Sequence, residues 1–330
     1  MKRPTLEVVA ARAGVSKSSV SRVVNGETTV APQIREVVMR AVRELGYVPN
    51  AAARNLVTRR TNAVAVVVSD PPQGVVSDDP LFSTVVRAVS RELEAAGKQV
   101  VLMLAESDRS RARVEAYVAG GHVDGVMLVA LHGTDPLPAA LARTGLPMAS
   151  FNRTSVPQVP YAGLDNAGGA ALAVRHLLER GRRRIAAITG PLDLFEARER
   201  LDGYREALRG SGRRSIVALG DFTRASGAEA MRQLLEDDPA LDAVFASNDL
   251  MAIGALRTLR QAGRRVPEDV AVVGFDDIEA AAYTAPALTS VRSPMADQAI
   301  ATVHLLLGLI KGGPREPVVI PHELVVREST

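Results

Sequence analysis

The apolar positions of the first fifty residues recur at helical spacing. Four of them fall at i, i+3, i+4 and i+7 and share one face of a first helix: Leu6, Val9, Ala10 and Ala13. A turn over residues 13–15 follows, and Ser16 is a suitable N-cap for a second short helix. A third helix is predicted over Pro32–Leu45, where Gly46 ends an apolar stripe made of Ile34, Val37, Val38, Ala41, Val42 and Leu45.

The second helix has two faces of different chemistry. Three valines point inward: Val20, Val23 and Val24. The opposite face carries Lys17, Ser18, Ser21 and Arg22, all of which can donate hydrogen bonds. Such a helix after a tight turn with glycine is typical of the recognition helix of a helix-turn-helix. The pattern therefore predicts a protein that reads DNA sequence.

From residue 63 onward, the pattern changes to apolar runs that alternate with amphipathic segments. Strands are predicted at Ala63–Ser69, Gln99–Leu104, Gly125–Val129, Met148–Phe151, Ile185–Thr189, Ile216–Leu219, Ala243–Ala246 and Val270–Phe275. Helices are predicted between them, such as Phe82–Ala96, Asn166–Arg180, Glu196–Arg209 and Asp249–Ala262. Nearly continuous apolar strands flanked by helices indicate parallel sheets covered on both faces. Their number favours two lobes, with a ligand site beyond the carboxyl ends of the strands.

Asn50–Val57 is predicted as a helix of about two turns, which is too short to be stable alone in water. We therefore predict a headpiece (residues 1–49), a connecting segment made of this short helix and a linker (residues 50–62), and a core (residues 63–330).

Charge and composition support this division. Residues 1–60 carry eleven Lys and Arg against four Glu, a net charge of +7 within a whole-chain charge of +3. A basic headpiece on a mildly acidic body is the expected footprint of a DNA-binding module, although a basic solvated surface is the simpler alternative. Cysteine is absent, and neither a secretory signal nor a long apolar run is present, which favours a cytoplasmic location.

No catalytic constellation is present in the sequence. The five histidines are scattered, and neither a Walker A loop nor a GxSxG or HExxH motif occurs. We therefore predict that the protein is not an enzyme and needs no cofactor and no metal.

Several separated motifs resemble the lactose-repressor/galactose-repressor (LacI/GalR) family of bacterial transcription regulators. They are VAARAGVSKSSVSRVVNG, LGYVPNAAARNL, GLDNAGGA, HLLERGRRRIAAITGP, ARERLDGYREAL, FASNDLMAIGAL and VAVVGFDDIEAAAYTAPALTSV. The resemblance implies an all-α helix-turn-helix headpiece with a hinge helix, followed by an α/β core like a periplasmic binding protein. The core would have two doubly wound parallel-sheet lobes, with crossovers near Gly163, Ser290 and Pro321. The first lobe would cover about 63–163 and 291–321, and the second lobe about 164–290 and 322–330. It also implies a homodimer on a pseudo-palindromic operator.

The resemblance assigns DNA contacts to residues of the headpiece and hinge. Lys17, Ser18 and Arg22 would read base edges, while Ser16, Ser21 and Asn25 would bond phosphates. Leu56 would wedge into the minor groove, and Ala53 would pack on its symmetry mate. The alternatives are a surface salt bridge for Arg22 and docking on the core for Leu56.

In the core, the resemblance assigns effector contacts to Asn152, Arg198, Phe222, Asn248 and Asp276, with Asp70 and Phe82 lining the first lobe's side. Three of these have simpler alternatives: Phe222 as a core residue, Asn248 as a helix cap and Asp276 as a turn residue. The expected function is a sequence-specific transcriptional regulator, by default a repressor, whose effector is a sugar. The alternatives are a sugar-binding receptor without a DNA role, or a regulator that responds to a purine or a phosphorylated metabolite.

Overall fold

A computed structural model of the chain describes residues 4–25, 27, 29–48, 60–69, 80–129 and 135–330. The chain divides into two compact units, Met1–Thr61 and Asn62–Thr330. Among the described residues, every helix falls short of the length and apolar character that crossing a bilayer requires.

The first unit contains three helices within its described part: α1 (Leu6–Ala13), α2 (Lys17–Val24) and α3 (Pro32–Leu45). The turn between α1 and α2 depends on Gly14, whose φ of 64° lies in the left-handed region that favours glycine. Ser16 is the predicted N-cap of α2, since its hydroxyl accepts a hydrogen bond from Ser19 N at 3.1 Å. The helices close around a small core that includes Val9, Val20 and Val38.

The prediction of a buried α3 stripe is wrong for one of its members, Val37. Val37 is 40% exposed, whereas Val38 and Ala41 are buried. Ile34, Val38, Ala41, Val42 and Leu45 already form a continuous inward face at i, i+4, i+7, i+8 and i+11. Val37 lies at the edge of that face, where α1 and α2 do not cover it.

The second unit alternates strands and helices along the chain. In order, its elements are β1 (Ala63–Val68), α4 (Pro80–Ala95), β2 (Gln99–Leu104), α5 (Asp108–Ala119), β3 (Gly125–Val129), α6 (Leu137–Ala142), β4 (Met148–Ser150), β5 (Ala162–Leu164), α7 (Asn166–Glu179), β6 (Ile185–Thr189), α8 (Phe195–Arg209), β7 (Ile216–Leu219), α9 (Arg224–Asp237), β8 (Ala243–Ala246), α10 (Asp249–Gln261), β9 (Ala271–Asp276), a 3-10 turn (Glu279–Tyr283), β10 (Thr289–Arg292), α11 (Met295–Ile310), β11 (Val318–Ile320) and β12 (Glu323–Val325).

The first lobe is built on a parallel sheet whose strand order, within the described residues, is β2-β1-β3-β4. Alternate residues of β1 enter opposite faces. Ala63, Ala65 and Val67 pack with α5 and α6, while Val64, Val66 and Val68 pack with α4 and α11. Because both faces are covered, the whole of β1 is buried, which explains its unbroken apolar run.

The second lobe follows the same plan, with the described strand order β12-β10-β9-β8-β6-β7. Its strands are parallel except for β12, which runs antiparallel to β10. One face packs against α7 and α8, and the other against α9 and α10. The two lobes are therefore doubly wound parallel-sheet layers, as predicted.

The chain crosses between the lobes at three places. β5 and β11 pair in parallel as a separate two-stranded sheet, and Gly163 faces Val319 in that pairing. β10, which contains Ser290, belongs to the second sheet, whereas α11 after it packs on the first lobe. These segments hold the lobes side by side, so the carboxyl ends of their strands border the cleft between them.

Candidate functional site

The exposed face of α2 carries the predicted base-reading residues. Lys17, Ser18 and Arg22 are exposed, while Val20 and Val23 behind them are buried. The Arg22 side chain is 62% exposed, and its Nε lies 3.9 Å from Glu27 Oε2, at the outer limit of an ion pair. A contact that long and that exposed contributes little, so the guanidinium is free to turn toward another acceptor.

Lys17 forms a closer ion pair than Arg22 does. Its ammonium group forms an ion pair with Glu7 of α1. The hydrogen bond from Lys17 lowers the pKa of Glu7 to about 2. Glu7 is therefore ionised throughout the physiological pH range and competes with any other acceptor for Lys17.

The predicted phosphate-contacting residues belong to the cap and the end of α2. Ser16 Oγ lies 2.8 Å from Ser18 Oγ, so the cap also orients the Ser18 hydroxyl. Near the other end, Asn25 Nδ2 donates to Ser21 Oγ at 3.4 Å. The two hinge residues, Ala53 and Leu56, lie outside the described residues, and so does Asp70.

In the core, a buried arginine occupies the centre of the candidate effector site. Arg200 of α8 is 7% exposed, and its Nε donates to Asn166 Oδ1 at 2.9 Å. Its Nη1 donates to Ser247 O at 2.6 Å, and its Nη2 lies 3.5 Å from Asp276 Oδ1. The guanidinium carbon also lies 3.8 Å from the centre of the Phe275 ring. The cation is thus surrounded by acceptors at the carboxyl ends of β8 and β9.

The predicted arginine at this place, Arg198, is not part of that group. It is exposed, and its guanidinium stacks on Phe195 at 4.7 Å from the ring centre. The reason is helical periodicity: the buried positions of α8 include Ala197, Leu201, Tyr204 and Leu208, which puts residue 200 on the inner face and residue 198 on the outer one. The same periodicity is visible in the sequence and predicts that Arg200 is the inward-facing arginine.

Asp276 is the partner that holds Arg200. It ends β9 with a φ of 99°, and Ser293 Oγ donates to its Oδ1 at 3.0 Å. Burial raises the pKa of Asp276 above its ordinary value, while Arg200 and the Ser293 hydroxyl oppose that shift. The pKa of this carboxyl group is therefore raised overall, because the effect of burial exceeds that of the nearby cation and hydroxyl.

Two further carboxylates, which the sequence argument did not assign to the site, lie near Asp276. Asp249 is buried and accepts from Ser290 Oγ at 2.6 Å and from Ile278 N at 2.8 Å. Burial raises its pKa well above the usual value, and the nearby Asp276 adds to that shift. Asp277 is held by Arg292 Nε at 2.9 Å and by Arg327 Nη2 at 2.6 Å.

Asn248 and Phe222 lie together at the carboxyl edge of the second sheet, on the face that α9 and α10 cover. Asn248 caps α10, accepting from Met251 N at 2.9 Å, and donates to Phe222 O at 3.0 Å. Phe222 is buried in the second lobe's core, with its ring over Gly190, where a Cβ would lie only 2.1 Å from Phe222 Cζ. The cap and core contacts considered as alternatives for these residues are therefore present.

Asn152 is the first-lobe residue of the candidate effector site. Its Oδ1 accepts from Gln298 Nε2 at 2.9 Å, and its Nδ2 donates to Glu196 Oε1 across the cleft at 3.3 Å. Gln298 is fully buried and also donates to Ala162 O at 3.0 Å, so it fixes the Asn152 amide against the first crossover. Phe82 instead packs on the first lobe's core.

The site contains no grouping that resembles a metal centre. Among the residues that the structure describes, no cluster of three His, Cys, Asp or Glu side chains could hold a metal ion. The arrangement offers hydrogen-bond donors and acceptors around one cation, which suits recognition of a polar molecule.

Comparison with protein families gives two matches along the chain. Residues 5–50 match the model described as "Bacterial regulatory proteins, lacI family". Residues 174–330 match the model described as "Periplasmic binding protein-like domain".

Individual relatives cover nearly the whole chain. The HTH-type transcriptional regulator CelR of Thermobifida fusca is 49% identical, over 99% of this chain and 98% of its own length. The ribose operon repressor of Escherichia coli strain K12 is 36% identical over 88% of each chain.

Solved structures agree. A transcriptional regulator CelR–cellobiose complex superimposes with a TM-score of 0.78 at 46% identity, covering 99% of this chain and all (100%) of the other. The lac repressor dimer bound to operator and the anti-inducer ONPF gives a TM-score of 0.87 at 29% identity, covering 100% and 99%.

Proposed function

The chain belongs to the lacI family of bacterial regulatory proteins, and from that premise we propose that it is a transcriptional repressor whose effector is a sugar. Its relatives are transcriptional regulators rather than enzymes. The observation that carries the effector part is the buried Arg200–Asp276 pair at the carboxyl ends of the second lobe's strands. That pair offers fixed donors and acceptors where a cleft ligand binds.

For DNA binding, we propose that a homodimer places one α2 in each of two successive major grooves of a pseudo-palindromic operator. Arg22, Lys17 and Ser18 would read bases, and Ser16, Ser21 and Asn25 would contact phosphates. Ala53 and Leu56, which lie outside the described residues, remain the proposed minor-groove contacts. Because DNA is in the bacterial cytoplasm, we also propose that location.

Exposed apolar side chains on two strands support the homodimer. Leu102 and Leu104 project from β2, an outer strand of the described first sheet, and Leu219 projects from β7 of the second. Tyr283 is 81% exposed in the turn after β9. Apolar groups on a sheet edge promote association with another chain, and a second copy would cover both lobes at once.

For the effector, we propose that Asn152, Arg200, Phe222, Asn248 and Asp276 form the binding site, with Arg200 in place of Arg198. These side chains supply amide, carboxylate and guanidinium groups beside an aromatic ring, which suits the hydroxyl groups of a sugar. The CelR relative has been solved with cellobiose, which makes that disaccharide the first ligand to test.

The test is a fluorescence anisotropy titration of the full chain on labelled DNA from upstream of its own gene, with and without cellobiose. We expect specific binding that cellobiose weakens. Arg22→Ala should weaken the specific binding and relax base preference, while Arg200→Lys should keep DNA binding and lose the response to sugar. If the chain binds this DNA no more tightly than unrelated DNA, the proposal that it is a repressor is wrong. If only a purine or a phosphorylated sugar changes DNA binding, the proposal of a neutral sugar effector is wrong.

A further inference from the structure

Three side chains meet at the amino end of the first sheet, away from the cleft. Asn62, Lys98 and Asp124 come directly before β1, β2 and β3, respectively. Lys98 Nζ lies 2.6 Å from Asp124 Oδ2 and donates to Asn62 Oδ1 at 3.2 Å. The backbone N–H of Asn62 donates to the same Asp124 oxygen at 3.1 Å. These three residues form a closed ring of contacts, which we call the junction clamp.

The junction clamp is shielded from water and reinforced by the backbone. The side chains of Lys98 and Asp124 are only 11% and 7% exposed. Gln99 N donates to Asn62 O at 2.7 Å, and Asp124 N donates to Ala63 O at 2.8 Å. A buried ion pair is screened much less than a surface pair, and removing one partner leaves an uncompensated charge. The clamp is therefore held far more firmly than the exposed ion pairs of the headpiece.

Asn62 lies where the connecting segment joins the core. It is the last residue of that predicted segment and the first residue of the second compact unit. Its φ of 53° lies in the left-handed region, which asparagine tolerates better than most residues do. Contacts on its amide N–H, its carbonyl and its side chain hold this conformation. The direction in which the chain enters β1 is therefore fixed.

The second lobe repeats one part of this arrangement and lacks the rest. There β6 lies between β7 and β8, as β1 lies between β2 and β3. Asp242, directly before β8, accepts at 2.8 Å from the backbone N–H of Arg184, directly before β6. The residue directly before β7 is Ser215, whereas Lys98 precedes β2. The aspartate thus serves both sheets, and the lysine belongs only to the lobe that the connecting segment enters.

We infer that the junction clamp fixes the direction in which the connecting segment leaves the core, so that Lys98 and Asp124 are positioning residues for effector-controlled DNA binding. The inference rests on the proposed function, because it assigns residues that link the first lobe to the DNA-binding unit. A segment with one fixed end has fewer conformations to lose when the operator is bound. Without the clamp, that loss would oppose DNA binding, and a movement of the first lobe would change the segment less.

The test measures operator affinity by fluorescence anisotropy on the full chain, with DNA from upstream of its own gene and well below the melting temperature. Lys98→Met removes the cation and keeps most of the side chain. We expect operator affinity without sugar to fall about ten-fold, which corresponds to the cost of ordering one backbone residue. The ratio of operator affinities without and with cellobiose should fall toward one. Cellobiose affinity, measured by isothermal titration calorimetry, should stay within about two-fold, since the clamp is remote from the cleft.

A second variant, Asn62→Gly, keeps the ion pair and serves if Lys98→Met folds poorly. Glycine adopts the left-handed conformation freely, but it offers no acceptor to Lys98 and is more flexible. Operator affinity should therefore fall several-fold, while the melting temperature changes by no more than about 4 °C.

Arg184→Met is the matched control at the same end of the second sheet. It removes a cation that lies 2.7 Å from the nearly buried carboxylate of Asp238. The melting temperature should fall, whereas operator affinity and the response to cellobiose should stay within about two-fold.

The outcomes separate the clamp from the proposed function. If Lys98→Met and Asn62→Gly bind the operator and respond to cellobiose as the wild type does, the inference is wrong. It is also wrong if Arg184→Met loses as much operator affinity as they do, because the clamp then only stabilises the fold. If the wild type binds no DNA specifically, the repressor proposal and the inference fail together. If the wild type binds specifically without responding to cellobiose, the sugar proposal is wrong, and undiminished operator affinity in Lys98→Met would still overturn the clamp.

Discussion

Replacing Arg200 by Ala tests whether the buried arginine, and not Arg198, organises the candidate effector site. The substitution removes donors to Asn166 and Ser247 and leaves the Asp276 carboxylate without its cation. Removing one partner of a buried ion pair costs about 3–5 kcal/mol. We therefore expect the free energy of unfolding to fall by about 3 kcal/mol or more at neutral pH.

The cost should depend on pH in a defined direction. Burial already raises the pKa of Asp276, and Arg200 opposes that shift, so the pKa rises further in the variant. A carboxyl group whose pKa is raised by folding destabilises the protein above that pKa and ceases to do so when it is protonated. The difference in the free energy of unfolding between variant and wild type should therefore narrow as the pH falls below neutral.

The assay is urea unfolding of the full chain followed by far-UV circular dichroism, because the chain contains no tryptophan. A loss of 3 kcal/mol corresponds to roughly 6–12 °C in melting temperature for a unit of this size. Arg198→Ala is the control and should cost no more than about 1 kcal/mol, since its stacking is exposed. If the two variants cost the same, or Arg200→Ala costs under about 1 kcal/mol, the assignment is wrong. Arg200→Lys, which keeps the charge but not the fork, should be intermediate.

Three further predictions follow from other parts of the chain. Burial lowers the pKa of His322 to about 4 from 6.5, so its contribution to stability is complete above pH 6.5 and is lost as the pH falls toward 4. In His322→Asn, the dependence of the melting temperature on pH between 7 and 4 should therefore be flatter, because up to about 3 kcal/mol of pH-dependent stability is removed. A profile like that of the wild type would contradict this. Arg22→Ala should weaken operator binding by about 1–3 kcal/mol and relax base preference, whereas Ser21→Ala should weaken all sequences alike; equal loss of preference in both would refute the division of roles. Tyr283→Asp, at an 81% exposed position, should leave the melting temperature within about 2 °C but convert the dimer to monomer in light scattering, and a stable dimer would exclude this face.

Local patterns were enough to predict most of the helices and long strands. The unbroken apolar run of β1 and the Ser16 cap each identified an element from a few neighbouring residues. β5, β11 and β12, by contrast, have only three residues each, and β11 is mostly exposed. Such strands exist because distant partners bond them, as in the pairing of Val319 with Gly163, and no local pattern records that.

The side-chain contacts around the candidate effector site were less predictable for the same reason. Asp249, Ser290 and Asp277 depend on partners 13 to 50 residues away along the chain. Arg198 was chosen by its place in a motif, whereas the facing side of α8 decides which arginine is buried. Helical periodicity, applied to ARERLDGYREAL as well as to the headpiece, predicts that Arg200 faces inward and Arg198 outward.

The backbone identifies the same region independently. Among the described residues, four that are not glycine have positive φ, and three of them lie at or just beyond strand ends of the second lobe: Phe222 at 68°, Asp276 at 99° and Asp277 at 52°. Such conformations cost of order 1–3 kcal/mol and persist where surrounding contacts impose them. Here the contacts are Asn248 on Phe222 O, Arg200 on Asp276, and Arg292 with Arg327 on Asp277. Asp276→Gly would relieve the backbone but release Arg200, so we expect it to destabilise the protein rather than stabilise it. A gain in melting temperature would mean that the strain, and not the ion pair, dominates at this strand end.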